Sequence, residues 1–422
     1  MNTIEGDWQA LDTISGRKTD TAFIDELRRT CESTNINFLL GAGCSYPAFG
    51  TLGNVETLLE ELKSADTRLQ INHAYGNNAK LIEDFIEASL KASFFENAIL
   101  PNETYFRDPS EPTKGNYERF CRAAMKLVAK REASTLPKQV TFFVTNYDIC
   151  MDVALDQARV PTNSGYIGRF NPMVDLSDFG RRITASTLAL AYQSEIASAN
   201  LVKIHGCASW KNEKGAIEFS DKFELIEEIK KKILGLNLPI EIGATTQSQA
   251  ETNKAEPLPK VSDELGEMLQ IACTHANGSN RNDVRELLTA FNKLQIVWPT
   301  KHKFHDTVLD EIYYAQLRRL TNQLEVHNSV LLVAGFSFAD EHIRKLILRA
   351  ADTNPTLKVL ILCYNKEAES QIRATFTKEC KSELEKRPNR NIVTVTALKK
   401  EEGNEANLDL KTIASLLEKV TR

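Results

Sequence analysis

Seven short apolar runs constrain this chain more than any other feature. They are 36–40 (INFLL), 140–145 (VTFFVT), 200–205 (NLVKIH), 294–298 (LQIVW), 329–334 (SVLLVA), 357–363 (LKVLILC) and 392–396 (IVTVT). Most are continuously hydrophobic rather than alternating. A strand with one wet face alternates, so a run that does not alternate is buried on both faces. That is the condition of a parallel sheet covered by helices. Helix-length amphipathic segments at 306–327, 339–351, 366–386 and 406–421 intervene between the later runs or follow them.

Strand and helix in alternation predict an α/β fold with a Rossmann-like, doubly wound parallel sheet. Two stretches break the alternation. Residues 55–135 read as helices at 55–65, 78–98 and 117–133. Residues 218–293 are also mainly helical, with polar, aperiodic segments at 244–258 and 275–283 that read as loops. The expected organisation is a single core over residues 1–422 carrying helical insertions at 55–135 and 218–293. Segment 78–98 repeats apolar residues at Leu81, Ile82, Phe85, Ile86, Leu90, Phe94 and Phe95. A stripe that wide suits a helix covered on more than one side. A homo-oligomer built partly through these insertions is therefore expected; packing within the chain is the alternative.

Composition removes several classes of function. The chain has 52 Lys and Arg against 57 Asp and Glu, a net charge of −5. It carries no overall electrostatic drive toward nucleic acid or anionic membrane, so direct binding to either is not expected. The short Lys-rich segments at 228–232 and 398–400 are flanked by Glu and read as solvated helix faces. No apolar run nears the roughly 20 residues of a membrane helix. The first residues lack the basic start and apolar core of a secretory signal. A soluble, cytoplasmic protein is expected. The eight cysteines stand at 31, 44, 121, 150, 207, 273, 363 and 380, with no CxxC pair. That spacing argues against a structural zinc module and reads as buried, reduced thiols.

The strand ends carry the unusual residues, and ligands of doubly wound sheets bind at the carboxyl ends of the strands. Gly41-Ala42-Gly43-Cys44-Ser45 follows the first run. Glycines there let a backbone approach a pyrophosphate closely, although a tight turn accounts for them equally. The dehydrogenase fingerprint is absent, because its third glycine falls at Tyr46. Asn146 and Asp148 end the second run, where capping of a helix by Asp148 is an equal reading. His205 closes the third run, where a structural histidine remains open. Gly335-Phe336-Ser337-Phe338-Ala339-Asp340 follows the fifth.

Taken in order, these pieces resemble the sirtuin superfamily. They are more closely similar to the bacterial sirtuin-like NAD-cleaving proteins of anti-phage defence. The matching segments are NINFLLGAGCS (35–45), FFVTNYD (142–148), LVKIHG (201–206), WPT (298–300), LLVAGFSFADEHI (331–343) and VLILCYN (359–365). The resemblance implies that NAD+ is the substrate; with no clustered cysteines, no metal is expected to take part. It implies that Gly41, Ala42, Gly43 and Ser45 hold the pyrophosphate. Asn146 orients the attacking water or holds the ribose, and Asp148 fixes the nicotinamide side or steadies cationic character. His205 bonds the ribose hydroxyls and serves as a base. Gly335, Ser337 and Asn365 bind the adenosine half. Asp340 reads chiefly as the cap of the helix that starts near 339.

Two departures from the protein-deacylating sirtuins bear on activity. The four-cysteine zinc module is missing, and no Arg follows Ser45 in the stretch Tyr46–Leu52. Deacylation is therefore disfavoured and hydrolysis of NAD+ to nicotinamide and ADP-ribose is the leading expectation. A non-catalytic NAD or ADP-ribose binding scaffold is the runner-up. With the final helix at 406–421 leaving no room for a C-terminal sensor, control is expected from oligomerisation, an insertion or a separate protein. In the family that partner is a HerA-type ATPase/helicase, another ATPase or an Argonaute-type protein.

Overall fold

The computed structural model describes residues 11–12, 18–50, 55–131, 136–168, 170–186, 193–213, 216–236, 238, 261–276, 281–298, 311–379, 391–396 and 407–422. The chain divides into two compact units. The first contains Met1–Ala48, Asp108–Gly206 and Val308–Arg422; the second contains Phe49–Arg107 and Cys207–Thr307.

The first unit is a mixed α/β fold around a parallel sheet. Its principal strands are β1 (Asn35–Leu40), β2 (Gln139–Val144), β3 (Ser198–Lys203), β4 (Ser329–Ala334), β5 (Lys358–Leu362) and β6 (Ile392–Thr396). In space they run β6, β5, β4, β1, β2, β3. Leu11–Asp12 pairs outside β6 and Thr162–Asn163 outside β3. Every neighbouring pair is parallel. The first three strands therefore extend one way from the centre and the last three the other way. β1 and β4 meet at the centre, where the direction of building reverses.

Packing explains the continuous apolar runs. Alternate residues serve opposite faces. Phe38 stacks on Phe142 with ring centroids 5.4 Å apart, and Phe120, from the helix Pro112–Ala129, meets Phe38 edge-on at 5.2 Å. The next residues along each strand, Leu39 and Phe143, join the other core with Val202, Leu331 and Val333. Leu320 and Leu324 of Glu311–Glu325 and Ile343 and Ile347 of Glu341–Thr353 close that side. Both faces are covered, so the strands are mainly apolar, and the polar residues they bury, such as Asn37 and Asn200, hydrogen-bond within the sheet.

The run at 294–298 departs from expectation. Only Leu294–Ile296 is a strand, and it lies outside the parallel sheet. It pairs with Gly206–Glu213, where Asn212 Nδ2 donates to Gln295 Oε1 at 3.2 Å. Gly206–Glu213 also forms an antiparallel hairpin with Ala216–Phe219. Three residues with a polar middle position are too few to tell a parallel core strand from a short ribbon strand.

The two stretches expected as helical insertions contribute helices to one unit. Ala79–Phe94 packs there against Val55–Lys63, Asp263–Ala276 and Arg281–Lys293. The helix Pro112–Ala129, from the end of the first stretch, instead belongs to the sheet unit. The wide apolar stripe is used within the chain. Phe94 packs on Trp298 at 5.5 Å and Phe95 on Phe291 at 6.0 Å, and both phenylalanines are buried. Of the residues read as loops, 244–258 lie outside the described residues, as do Pro299 and Thr300. Among the described residues, no helix is long and apolar enough to cross a membrane.

Candidate functional site

The carboxyl ends of β1, β2, β3 and β4 adjoin in the sheet, so the four singled-out segments come together. The junction of β1 and β4 is the tightest part. Gly41 N–H donates to the Ala334 carbonyl at 2.9 Å, and Gly43 N–H donates to the Gly335 carbonyl at 2.9 Å. Gly335 takes a left-handed φ of +61°, a region open to glycine at little cost. A Cβ on Gly41 would lie 2.5 Å from the Gly335 oxygen. These glycines thus permit two backbones to touch. Ala42 and Gly43 remain exposed at the turn, whereas Ser45 is buried.

Ser45 sits at the centre of a buried polar cluster. Its hydroxyl donates to Asp148 Oδ2 at 2.5 Å and accepts from Asn146 Nδ2 at 3.0 Å. It also shares a 2.8 Å hydrogen bond with the Tyr117 hydroxyl. Asp148 Oδ1 accepts the N–H of Cys150 at the start of the helix Cys150–Gln157. Asp148 is thus tied to the first turn of that helix while its other oxygen holds Ser45. Burial, with the nearby Asp148 charge adding to it, raises the Tyr117 phenol well above its ordinary value. It stays a neutral hydroxyl. Cys44 beside it is pushed up to about 12, chiefly by burial, and is no thiolate nucleophile.

Asn146 is 5% exposed. Its amide nitrogen donates to the Gly41 carbonyl at 3.1 Å as well as to Ser45. The Gly41 carbonyl can only accept, which fixes which end of the amide faces it. Oδ1 must then point elsewhere, and among the described residues it finds no hydrogen-bond partner. A buried amide oxygen left without a donor costs about 1–3 kcal/mol, which sets Asn146 apart from the fully engaged Asp148 and Asn365 oxygens.

His205 lies beside it, just beyond the end of β3. Nδ1 is 3.1 Å from the Thr145 carbonyl and Nε2 is 3.2 Å from Asp340 Oδ2. The ring is tilted 30° against Tyr147 at 6.3 Å. Asp340 does cap the helix Glu341–Thr353, with Oδ1 accepting from His342 N–H at 3.0 Å and Ile343 N–H at 3.1 Å. Its second oxygen is the one that reaches His205. The loop before it is held in place: Phe338 has a φ of +59°, unusual for a bulky residue. The Arg344 guanidinium donates to the Phe338 carbonyl and so braces that conformation.

Ser337 is exposed at the end of β4, and its hydroxyl accepts the Ala339 N–H at 3.4 Å. Asn365, past the end of β5, accepts the Ala368 N–H at 2.8 Å and so caps the helix Lys366–Glu379. Its Oδ1 is thereby engaged.

Three participants were not singled out from sequence. Tyr117 comes from a helix with no motif. Lys203, buried at 2% exposure, donates to the Asp148 carbonyl at 2.5 Å and pairs with Asp152 at 2.7 Å. Burial nevertheless keeps the Asp152 carboxyl above its usual range. A lysine inside an otherwise apolar strand was the available signal. The second role of Asp340 had none. Among the described residues, no group of three or more His, Cys, Asp or Glu is placed to hold a metal ion.

Comparison of the chain with protein-family models gives no match, and comparison with curated proteins gives none.

Proposed function

We propose that this chain is an NAD+ glycohydrolase built on a Rossmann-like, doubly wound sheet. The observation that carries the reading is the buried Asn146 carbonyl, without a hydrogen-bond partner among the described residues, near His205 at the carboxyl ends of adjacent strands. Ligands of such sheets lie where strand order reverses, which here is the β1–β4 junction next to Asn146. The exposed turn at Ala42 and Gly43 is the part of the glycine segment that can meet a pyrophosphate. The adenosine half falls toward Gly335, Ser337 and Asn365.

The reaction breaks the bond between nicotinamide and the ribose anomeric carbon. The electron pair leaves on the nicotinamide nitrogen, and a water oxygen bonds to the carbon and releases one proton to solvent. Charge builds on the ribose as the bond opens, as in other glycosidic cleavages. Asn146 Oδ1 accepts a hydrogen from the water and turns a lone pair toward the carbon. His205, its ring nitrogens already facing the Thr145 carbonyl and Asp340 Oδ2, lies against the ribose and orients it. Asp148, 3% exposed and engaged with Ser45, positions Asn146 through that serine and steadies the cationic character of the opening ribose. A setting in anti-phage defence by NAD+ depletion, under control of a partner ATPase or of self-assembly, is carried by the motif resemblance.

Purified chain is incubated with NAD+ and nicotinamide release is followed. Asn146→Ala and His205→Ala each abolish release while circular dichroism stays native. Wild-type turnover in folded His205→Ala protein sinks the assignment. Binding of ADP-ribose without any nicotinamide release would instead mark a scaffold.

A further inference from the structure

His205 stands between two acceptors. The Thr145 carbonyl has no hydrogen to give, and an ionised Asp340 carboxylate has none either. A neutral imidazole carries only one N–H. If that hydrogen goes to Thr145, a bare Nε2 lone pair faces a carboxylate oxygen at 3.2 Å, which is repulsive. The other neutral tautomer is no better, because it leaves a bare Nδ1 lone pair facing the Thr145 carbonyl at 3.1 Å. The distances therefore require one more proton, held between the ring and Asp340.

We propose that Asp340 is a positioning residue for His205, holding a proton between its Oδ2 and the ring Nε2 so that the two side chains act on the nicotinamide ribose as one neutral unit. The inference rests on the NAD+ reading of the site. Its value lies in charge. A lone imidazolium beside the ribose would oppose the positive charge that develops as nicotinamide leaves. With Asp340 attached, the unit has no net charge, yet the ring stays fixed at both nitrogens. The two side chains are 13% and 11% exposed, so a ribose can still reach them. The carboxylate is itself fixed, because its other oxygen is committed to the N-terminus of the helix Glu341–Thr353.

Asp340→Asn separates the two jobs. Asn caps a helix as well as Asp does, so Oδ1 keeps its place while an amide replaces Oδ2. The expected result is an unchanged melting temperature, a kcat for nicotinamide release lowered about a hundredfold, and a KM for NAD+ changed by less than about threefold. A second readout needs no turnover. In full-length protein labelled with nitrogen-15 at histidine, His205 shows an Nε2–H proton signal, assigned by its absence from His205→Ala. Asp340→Asn abolishes that signal. Retention of the signal, or a wild-type kcat, in folded Asp340→Asn overturns the proposal. If wild-type chain releases no nicotinamide, the NAD+ reading falls, and the imidazole signal alone decides whether the pair exists.

Discussion

Gly41 and Gly335 end two neighbouring strands with their backbones in contact, and neither has room for a side chain. A Cβ on Gly41 would meet the Gly335 oxygen at 2.5 Å, and one on Gly335 would collide with the Cys44 backbone. Gly335 also needs its left-handed φ of +61°. The glycines of the first motif are thus required by the fold before any ligand is considered. Gly335→Ala is expected to lower stability by at least about 2 kcal/mol, from strain and clash together. Gly41→Ala should do similar damage. Gly43→Ala should be milder, since its nearest neighbour stands 3.0 Å away. Gly180→Ala, with nothing within 4 Å, serves as the control. Urea denaturation ranks the four, and equal losses at Gly43 and Gly41 would refute the argument.

Ser45 links three buried groups, so its removal should be felt twice. Ser45→Ala takes an acceptor from Asn146 and a partner from Tyr117, and a donor from Asp148 Oδ2. A loss of about 1–3 kcal/mol is expected. Nicotinamide release should fall yet survive, because the Gly41 carbonyl still holds the Asn146 amide. Thermal melting and turnover test the two parts separately. Full activity in Ser45→Ala would show that Asn146 does not depend on this cluster.

Much of the fold was legible because its strands are dry on both sides. Six of the seven apolar runs are strands of the parallel sheet, since nothing but paired helices can cover such surfaces. The seventh failed because Leu294–Ile296 is short and has Gln295 in its middle. The small strands between Thr162 and Glu195 carry too little apolar pattern to be seen. The same limit applies at the site. Asn146 and His205 stood out as polar ends of apolar runs. Tyr117 and the second oxygen of Asp340 did not, because their partners are distant in sequence and no local spacing records them.

The helix Ala79–Phe94 bears on assembly. Its stripe suits packing within the chain or a contact with another copy, and Phe94 and the following Phe95 are 2% and 0% exposed within one chain. Phe94→Asp would bury a charge against the Trp298 ring. The expected outcome is a loss above about 3 kcal/mol with partial unfolding, and not a clean change from larger to smaller native species. Light scattering together with circular dichroism distinguishes the two. A native, smaller Phe94→Asp protein would return this helix to an interface.

Lys91 supplies a pH test of the second unit. It is 5% exposed, lies 4.8 Å over the Trp298 ring and pairs with Glu87 at 3.0 Å. Burial pulls its ammonium below the ordinary lysine range, although Glu87 works against this. Burial pushes Glu87 up, but Lys91 and Lys63 outweigh it and hold the carboxyl below its usual range. The signs follow from linkage. For Glu87, stability is present above the unfolded value of about 4.3 and is lost as pH falls through the lower folded value. For Lys91, the unfolded chain binds the proton more tightly, so stability rises with pH in the window below about 10.4. Glu87→Gln leaves the buried ammonium without its carboxylate and should lower stability by about 2 kcal/mol at pH 7. The deficit should shrink by pH 10, because Lys91 can then shed its proton. Lys91→Met removes the buried charge, keeps an apolar contact with Trp298, and should stay within about 1 kcal/mol of wild type. Urea titrations at the two pH values decide it. A Glu87→Gln deficit that is the same at pH 7 and pH 10, or a Lys91→Met loss as large as that of Glu87→Gln, would show that the pair is not governed by burial of the ammonium.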